Sequence, residues 1–501
     1  MTFKEKRNEY RSMLDRKKQR YLQKNIDSNN TNTNNFQRAF QSAIVNRLTQ
    51  DFTSSQNSIN ADLANSGEKI RGRSRDSFQN NDHYIRYINR YRTGVVGAQG
   101  FTLVSKAKDA KGKTDENAIK LIEEAWLEFG NKENFSASKN ISLHRFSLIC
   151  ITQKKRDGHV FIHKLKGFDN KFNFAIQIIE PHYLDENYNV DLENGNVIRN
   201  AIEFNKYGQR VAYHFSERPK NENINSNIQK YGKKIPIPAD EIIHYYDPKE
   251  YSQNLGYPES QQVLLDIHSL KGINSAEIIK KRVVASNMFF VIPPEGGEYK
   301  GDGENADGSI DFEVEAGMAR TLPAGSTTSQ FAPNDQGDGN AAFNKLILQN
   351  FSVGVGLSYH SISGDYSGLN KESLRDLTIN DRDEFNLEQE MFIKEVMTPL
   401  YYDWLKMTLL CRAIKLPFDK IDYFKSHEFL PRSYQPINEL EEAQANDLSI
   451  NNLTKSRTQI NKALDQLQLG HRMPLQPRSL QTVSIVLLKT FFYHFHHLLS
   501  A

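Results

Sequence analysis

The chain has 501 residues, with 64 Lys plus Arg against 61 Asp plus Glu and a net charge of +3. That length holds two or three ordinary domains with a sizeable core, and the near-balanced charge argues against a general nucleic-acid coat, leaving any electrostatic footprint to local patches. The two cysteines, Cys150 and Cys411, form no CxxC pair, which excludes a zinc ribbon or thioredoxin-type site and fits a reducing cytoplasm.

Residues 1–35 read as a basic arm with a flexible linker. Nine Lys and Arg side chains between Lys4 and Lys24 are followed by the tract NIDSNNTNTNN. Such an arm contacts nucleic acid or a partner, or is simply a solvated tail. No apolar run follows it, so it does not read as a secretory signal. Residues 36–66 and 71–93 read as helices, the second rich in Arg and aromatics, and GVVGAQG at 94–100 ends it. FTLVSK opens a strand. Ile119, Ile122, Ala125, Trp126 and Phe129 mark an amphipathic helix over 115–130. Between 141 and 250 strands predominate: VFIHKL, FAIQIIE, AIEFN, RVAYHF and EIIHYY are short, β-branched and aromatic. The fold class is therefore α+β.

Val263, Ile267, Leu270 and Ile278 recur at helical spacing over 258–290, with Pro258 in the first turn. Residues 291–339 are Gly-, Pro- and Asp-rich, with one alternating piece at Ile310, Phe312 and Val314. Helical character returns at 340–354. The loop at 355–370 leads into a helix over 371–410, in which Pro399 predicts a kink. A further helical segment is expected at 431–462. Residues 483–501 are strongly apolar, short for a membrane span, and carry Lys489, His494, His496 and His497.

Candidates for chemistry are few. No Walker A, GxGxxG or GxSxG pattern occurs. GDGENADG at 301–308 lacks the EF-hand ligand order and reads as an exposed loop. His159, two residues after Asp157, admits an acid–base role, but a turn leading into a strand is the preferred reading. The C-terminal histidines have no carboxylate beside them. Lys280, Lys281 and Arg282 suit the C-terminal end of a helix dipole or a phosphate contact equally well. No catalytic, cofactor-binding or metal-ligating residue is assigned.

Several segments together resemble the lambda-type portal family of tailed bacteriophages, over roughly residues 36–462. RGRSRDSFQNN with VVGAQGF resembles its Arg-rich helix and following turn. RDGHVFIHK resembles its "DG-E" turn, with His159 where an acid is usual. IQIIEPHYLD and AIEFNKYGQRVAYHF resemble its strand pair, and IPADEIIHYYDP its "ipA-eiiH" segment. The most specific likeness is GLSYHSISGDYSGLNKESLR, where Gly356, Tyr359, Gly364, Asp365, Tyr366, Ser367, Asn370, Ser373 and Arg375 fall on the family pattern. Ser358 stands where Pro is usual, Lys371 and Glu372 where Tyr-Ser is usual, and Leu255 where an Arg commonly precedes the glycine. INELEEAQANDLSINNLTKSRTQI resembles the family's ending. Residues 463–501 depart from it and look like a shifted reading frame or a truncation.

The resemblance implies a non-enzymatic ring subunit, commonly one of twelve, at one capsid vertex. Its parts would be a wing (36–257), stem helices (258–290 and 340–354) and a clip (291–339) between them. A channel loop (355–370), a kinked helix completing the wing (371–430) and a helical segment (431–462) would follow. Expected partners are other copies of the chain, double-stranded DNA bound non-specifically, the terminase large subunit, head–tail connector proteins, and capsid and scaffold proteins. No cofactor is expected. The protein would belong to the virion, and to the host cytoplasm during assembly. Lys280, Lys281, Arg282 and Lys345 are the candidates for facing DNA. Two other readings stay open: a metal-dependent nucleic-acid-processing enzyme, which needs paired carboxylates around one metal, and a protein anchored to a membrane by residues 483–501.

Overall fold

Asn81 splits the Arg-rich helical stretch in two. Helix α1 spans Ile59–Asn80 and α2 spans Asp82–Tyr91. Between them Asn81 turns extended (φ −123°, ψ 118°), and its side chain accepts the Tyr84 N–H, an N-cap that restarts the helix. The sequence reading set the break near residues 66–71, where Gly67 stands; no glycine or proline marks the true one. The structure is a computed structural model that describes residues 57–217, 233–285, 289–292, 327–330 and 337–434, with 447, 448 and 452. The basic arm, the alternating piece at 310–314, the GDGENADG tract and the C-terminal tail lie outside the described residues.

After a wide helical turn at Arg92–Val96 come strand β1 (Thr102–Ser105), helices α3 (Glu116–Phe129) and α4 (Lys132–Phe135), and then α5 (Leu143–Asp157). Helix α5 corrects the expectation that strands predominate from 141. Ser142 caps its start and Gly158, in the left-handed region, ends it. Its buried face includes Gln153, Lys154 and Lys155, and polar residues on the core side erase the apolar periodicity that would have revealed it.

Strands β2 (His159–Lys166) and β3 (Phe174–Ile179) pair antiparallel. Next comes a meander of β4 (Val190–Asp191), β5 (Val197–Arg199), β6 (Ile202–Phe204), β7 (Arg210–Ser216) and β8 (Lys234–Pro238). Strand β9 (Ile242–Tyr246) returns to the other edge of β2. Leu63, Phe161, Ile202, Tyr213, Phe215 and Leu255 build a small core between the two sheets. The larger core gathers around Trp126, Phe129, Phe174 and Trp404.

A short 3₁₀ turn (Glu259–Val263), preceded by Pro258, leads into α6 (Leu264–Ala285). Strands β10 (Phe289–Ile292) and β11 (Thr327–Gln330) pair beyond it, and α7 (Gly337–Val355) runs back. Asn344 Nδ2 donates to Asn274 Oδ1 (2.8 Å) and Asn340 Nδ2 to Glu277 Oε2 (3.0 Å), so α6 and α7 form an antiparallel hairpin. Helix α8 (Tyr359–Ser363) lies within the expected loop. Helix α9 (Lys371–Phe392), a wide turn at Ile393–Met397 and α10 (Thr398–Leu410) make one interrupted rod. The irregularity falls just before Pro399, which lacks the N–H that a regular helix needs there. Helix α11 (Ile421–Phe424) and β12 (His427–Leu430) follow, and β12 closes back on β1.

One ionic knot joins these parts. Glu388 on α9 accepts from Lys154 (2.7 Å) and lies 3.0 Å from Lys155, both on α5. The Tyr245 hydroxyl on β9 donates to it as well. Lys155 also pairs with Glu259 at the foot of α6 (2.7 Å). Lys154, Lys155 and Glu388 are buried. Burial alone would raise the Glu388 pKa, but Lys155 and Lys154 pull it down to about 2. Removing one member strands the others without water. Glu388→Ala is therefore expected to cost about 3–5 kcal/mol of stability, read from urea unfolding. A loss below about 1 kcal/mol, the scale of an exposed pair, would mean that the knot is open to solvent.

Candidate functional site

The segment from the end of α7 to the start of α9 carries the residues singled out from the sequence. Gly356 takes a positive φ (71°) just past α7, where the Leu357 N–H returns to Ser352 O. Ser358 then caps α8, and Gly364 (φ 75°) ends it with an N–H to His360 O. Ser367 donates through both its N–H (2.9 Å) and its hydroxyl (2.6 Å) to Asp365 Oδ1. These bonds hold the Asp365 carboxyl below its ordinary pKa. Tyr366 is half exposed at the tip. Asn370 caps α9 by accepting the Ser373 N–H (2.7 Å). The motif is thus largely a set of turn and cap positions. Tyr359 lies under Lys345 (5.7 Å to the ring centre), and Arg375 is exposed on α9.

The group that anchors this segment is Asp381, which the sequence reading did not select. Its buried carboxylate accepts the Ser358 N–H (2.8 Å), the Ser358 hydroxyl (3.0 Å) and the Ser361 hydroxyl. Arg90 stands 4.0 Å away, and Arg86 donates to Ser361 O (2.7 Å). No local signal exposes this arrangement, because Asp381 on α9 meets partners from α2 and from the start of α8. It also accounts for Ser358 in place of Pro. The backbone keeps a proline-like φ (−63°), but the N–H that a proline lacks is used by Asp381.

A cleft of about 390 Å³ opens at the hairpin root, lined by Lys155, Glu259, Gly356, Glu384 and Glu388 among others. The four cationic candidates do not converge on it. Lys345 sits midway along α7, whereas Lys280, Lys281 and Arg282 lie toward the end of α6 far from the body. As consecutive helical residues they point about 100° apart.

His159 is fully buried at the start of β2. Its Nδ1–H donates to Gly256 O (3.0 Å), a bond that a carboxylate, with no proton, cannot make. Gly158 and Gly256 pass so closely that a Cβ on either would overlap backbone. Leu255, where the family has Arg, is buried in the smaller core. Burial, helped by Arg71, lowers the His159 pKa to about 3, and burial likewise lowers that of His244. The acid–base reading of His159 therefore gives way to a structural one. Among the described residues no group of three His, Cys, Asp or Glu is placed to hold a metal, and no helix is long and apolar enough to cross a membrane.

The described residues thus form an α+β body with a helical hairpin leading from it. The description phage portal protein, lambda family, matches residues 45–389, and the chain belongs to that family. A probable portal protein of Halomonas phage phiHAP-1 is 28% identical over 432 residues, covering 84% of this chain and 82% of that protein. The portal protein of Escherichia phage N15 is 20% identical over 393 residues, covering 72% of this chain and 73% of that protein. Among solved structures, the neck of an empty gene transfer agent particle computed with C6 symmetry aligns at TM-score 0.42 and 12% identity, over 82% of this chain and 94% of that one. The neck of the native particle computed with C12 symmetry aligns at TM-score 0.40 and 12% identity, over 83% and 94%. The family is structural rather than enzymatic.

Two outcomes test this geometry. Asp381→Ala leaves two serines and a buried N–H without their acceptor, which costs about 1–3 kcal/mol. It should speed proteolytic cleavage between residues 364 and 370, and unchanged cleavage would show that the segment is held otherwise. Acid acts through His159. With a folded pKa of about 3 against an ordinary 6.5, the unfolded chain takes up a proton that the folded chain refuses in that window. Stability is full above the upper value and falls as pH drops below it. Urea midpoints at about pH 7 and about pH 5 should differ less for His159→Asn than for the parent, with His244, His83 and His427, whose pKa values burial also lowers, contributing to the remaining slope.

Proposed function

We propose that this portal protein assembles as a closed ring at one capsid vertex, through which double-stranded DNA enters and leaves. The observation that carries the reading is the family match, whose span from residue 45 to residue 389 takes in the body, the hairpin and most of α9. In this reading, residues 36–257 and 371–430 form the wing. Residues 258–290 and 340–354 form the stem, residues 291–339 the clip, and 355–370 the loop facing the channel. An antiparallel hairpin whose connecting segment lies at the end away from the body is a shape suited to presenting that segment. The clip is then the docking surface for the terminase large subunit and later for head–tail connector proteins. Capsid and scaffold proteins meet the wing. The chain has no nucleotide-binding motif of its own, so ATP use falls to the terminase.

A channel that moves DNA needs few, weak and repeated phosphate contacts, because such contacts carry affinity without sequence information. Lys280, Lys281, Arg282 and Lys345 remain the candidates. Their divergence along the hairpin suits scattered contacts better than a single grip. A ring also needs two different faces on each subunit. Exposed apolar side chains on both hairpin helices, Ile279 and Leu346 among them, support that need. The protein would sit in the virion and, during assembly, in the host cytoplasm.

Light scattering with negative-stain imaging of the purified full chain tests the reading. Rings of about a dozen copies with a central hole are expected. Monomers or dimers at every concentration tried would overturn the self-assembling ring.

A further inference from the structure

Gly272 is exposed in the middle of α6, and a Cβ built on it would meet nothing within 4 Å. A helix interior tolerates glycine poorly, because its backbone loses the most freedom on folding. Nothing within the chain requires glycine there. Ser269 and Ala276 extend the same stripe, and Leu265 and Ile279 close it at either end, all of them exposed. The spacing alternates between four and three residues, which is one face of a helix. The stripe is a shallow groove of small residues between two apolar ends, with its floor at Gly272.

Helix α7 carries the opposite relief. Phe343, Leu346, Asn350 and Val353 follow the same alternation, and Phe343, Leu346 and Val353 are 49%, 51% and 84% exposed. The Asn344–Asn274 and Asn340–Glu277 bonds set the two helices level by level. Leu346 stands level with Gly272, Phe343 close to Ala276, Asn350 close to Ser269 and Val353 with Leu265. The bonds also show which sides face inward. At about 100° per residue, each stripe lies on the side of its helix turned away from the other. Ridge and groove therefore flank the hairpin on opposite sides and cannot meet within one chain.

We infer that the α7 ridge of one copy packs into the α6 groove of the next, with Leu346 seated over Gly272. The inference rests on the ring reading and specifies which surfaces close the ring. Rotation about an axis running along the hairpin leaves every level unchanged, so large residues meet small ones without any slip. Opposite flanks are what a head-to-tail cyclic contact demands, and small residues in a groove let a neighbouring ridge approach closely. The occupant is a second copy rather than an unrelated protein, because the complementary surface is already on this chain at the matching height.

Cross-linking tests this in the full chain. Cys411 is half-exposed and is replaced by Ser, while the buried Cys150 is kept. The Gly272→Cys/Leu346→Cys variant is oxidised, imaged, and run on a non-reducing gel. A ladder of covalent multimers up to the ring size is expected, with no ladder from either single-cysteine variant. Intact rings without a ladder would overturn this interface and leave the ring reading standing. Absence of rings in the parent protein would overturn both. Gly272→Leu supplies a second readout, since its own chain leaves room for the side chain. It should unfold at or slightly above the parent's midpoint, because leucine suits a helix interior better than glycine, while ring assembly weakens about tenfold or more. Undiminished assembly would overturn the inference.

Discussion

The Glu388 carboxylate sets the arrangement of everything around it. A buried charge is tolerated only inside a closed set of partners, and here the partners come from different parts of the chain. Lys154 and Lys155 bring α5, Tyr245 brings β9, and Lys155 in turn brings Glu259 at the foot of the hairpin. Lys155 also lies 4.0 Å over the ring of Tyr91, which adds α2. The angle at which the hairpin leaves the body thus depends on one ionic knot as well as on apolar packing. Apolar contacts alone permit sliding, whereas a paired and desolvated charge fixes a position.

Helix α9 works as a post with two anchors on one side. Asp381 and Glu388 are seven residues apart, two turns of helix and nearly the same face. Phe385 lies between them against Tyr91 and Gly94, and Gln389 donates to Gly94 O and Val95 O. The lower anchor holds α8 and the segment leading to Tyr366, and the upper one holds the body and the hairpin root. The exposed tip around Asp365 and Tyr366 is therefore a short span between fixed ends, Gly364 bonded to α8 and Asn370 capping α9. Any movement of the tip is confined to those few residues unless Asp381 lets go.

The same post shows what the sequence could and could not disclose. Phe385 and Phe392 recur at helical spacing, so the rod and the irregularity before Pro399 were readable. Asp381 and Glu388 stand in a stretch crowded with acidic residues, DRDEFNLEQE, where a carboxylate reads as solvated unless its partners are known. Those partners lie far along the chain. Helix α5 was hidden by the same cause in reverse, since Lys154 and Lys155 on its buried face look like surface residues. The loop motif was legible as a motif because caps and turns are local. Its physical role was legible only in part, because Asp381, which holds it, is not local.

Glycines divide the molecule into what one chain explains and what it does not. Gly158 lies against the backbone at Tyr257, Gly256 against Gly158, Gly94 against the Phe385 ring and Gly354 against Val263. Each permits an approach that any side chain would block, and each falls inside the body or at the hairpin root, where α7 meets the 3₁₀ turn. Higher on the hairpin the logic changes. Gly272 has no neighbour to accommodate, and the large side chains level with it face solvent. Stability of a single chain gives no reason to keep a flexible residue on an exposed helix face between Leu265 and Ile279. The second chain inferred above would supply one. Close-packed glycines thus answer to contacts within one copy, while Gly272 would answer to the neighbour inferred above.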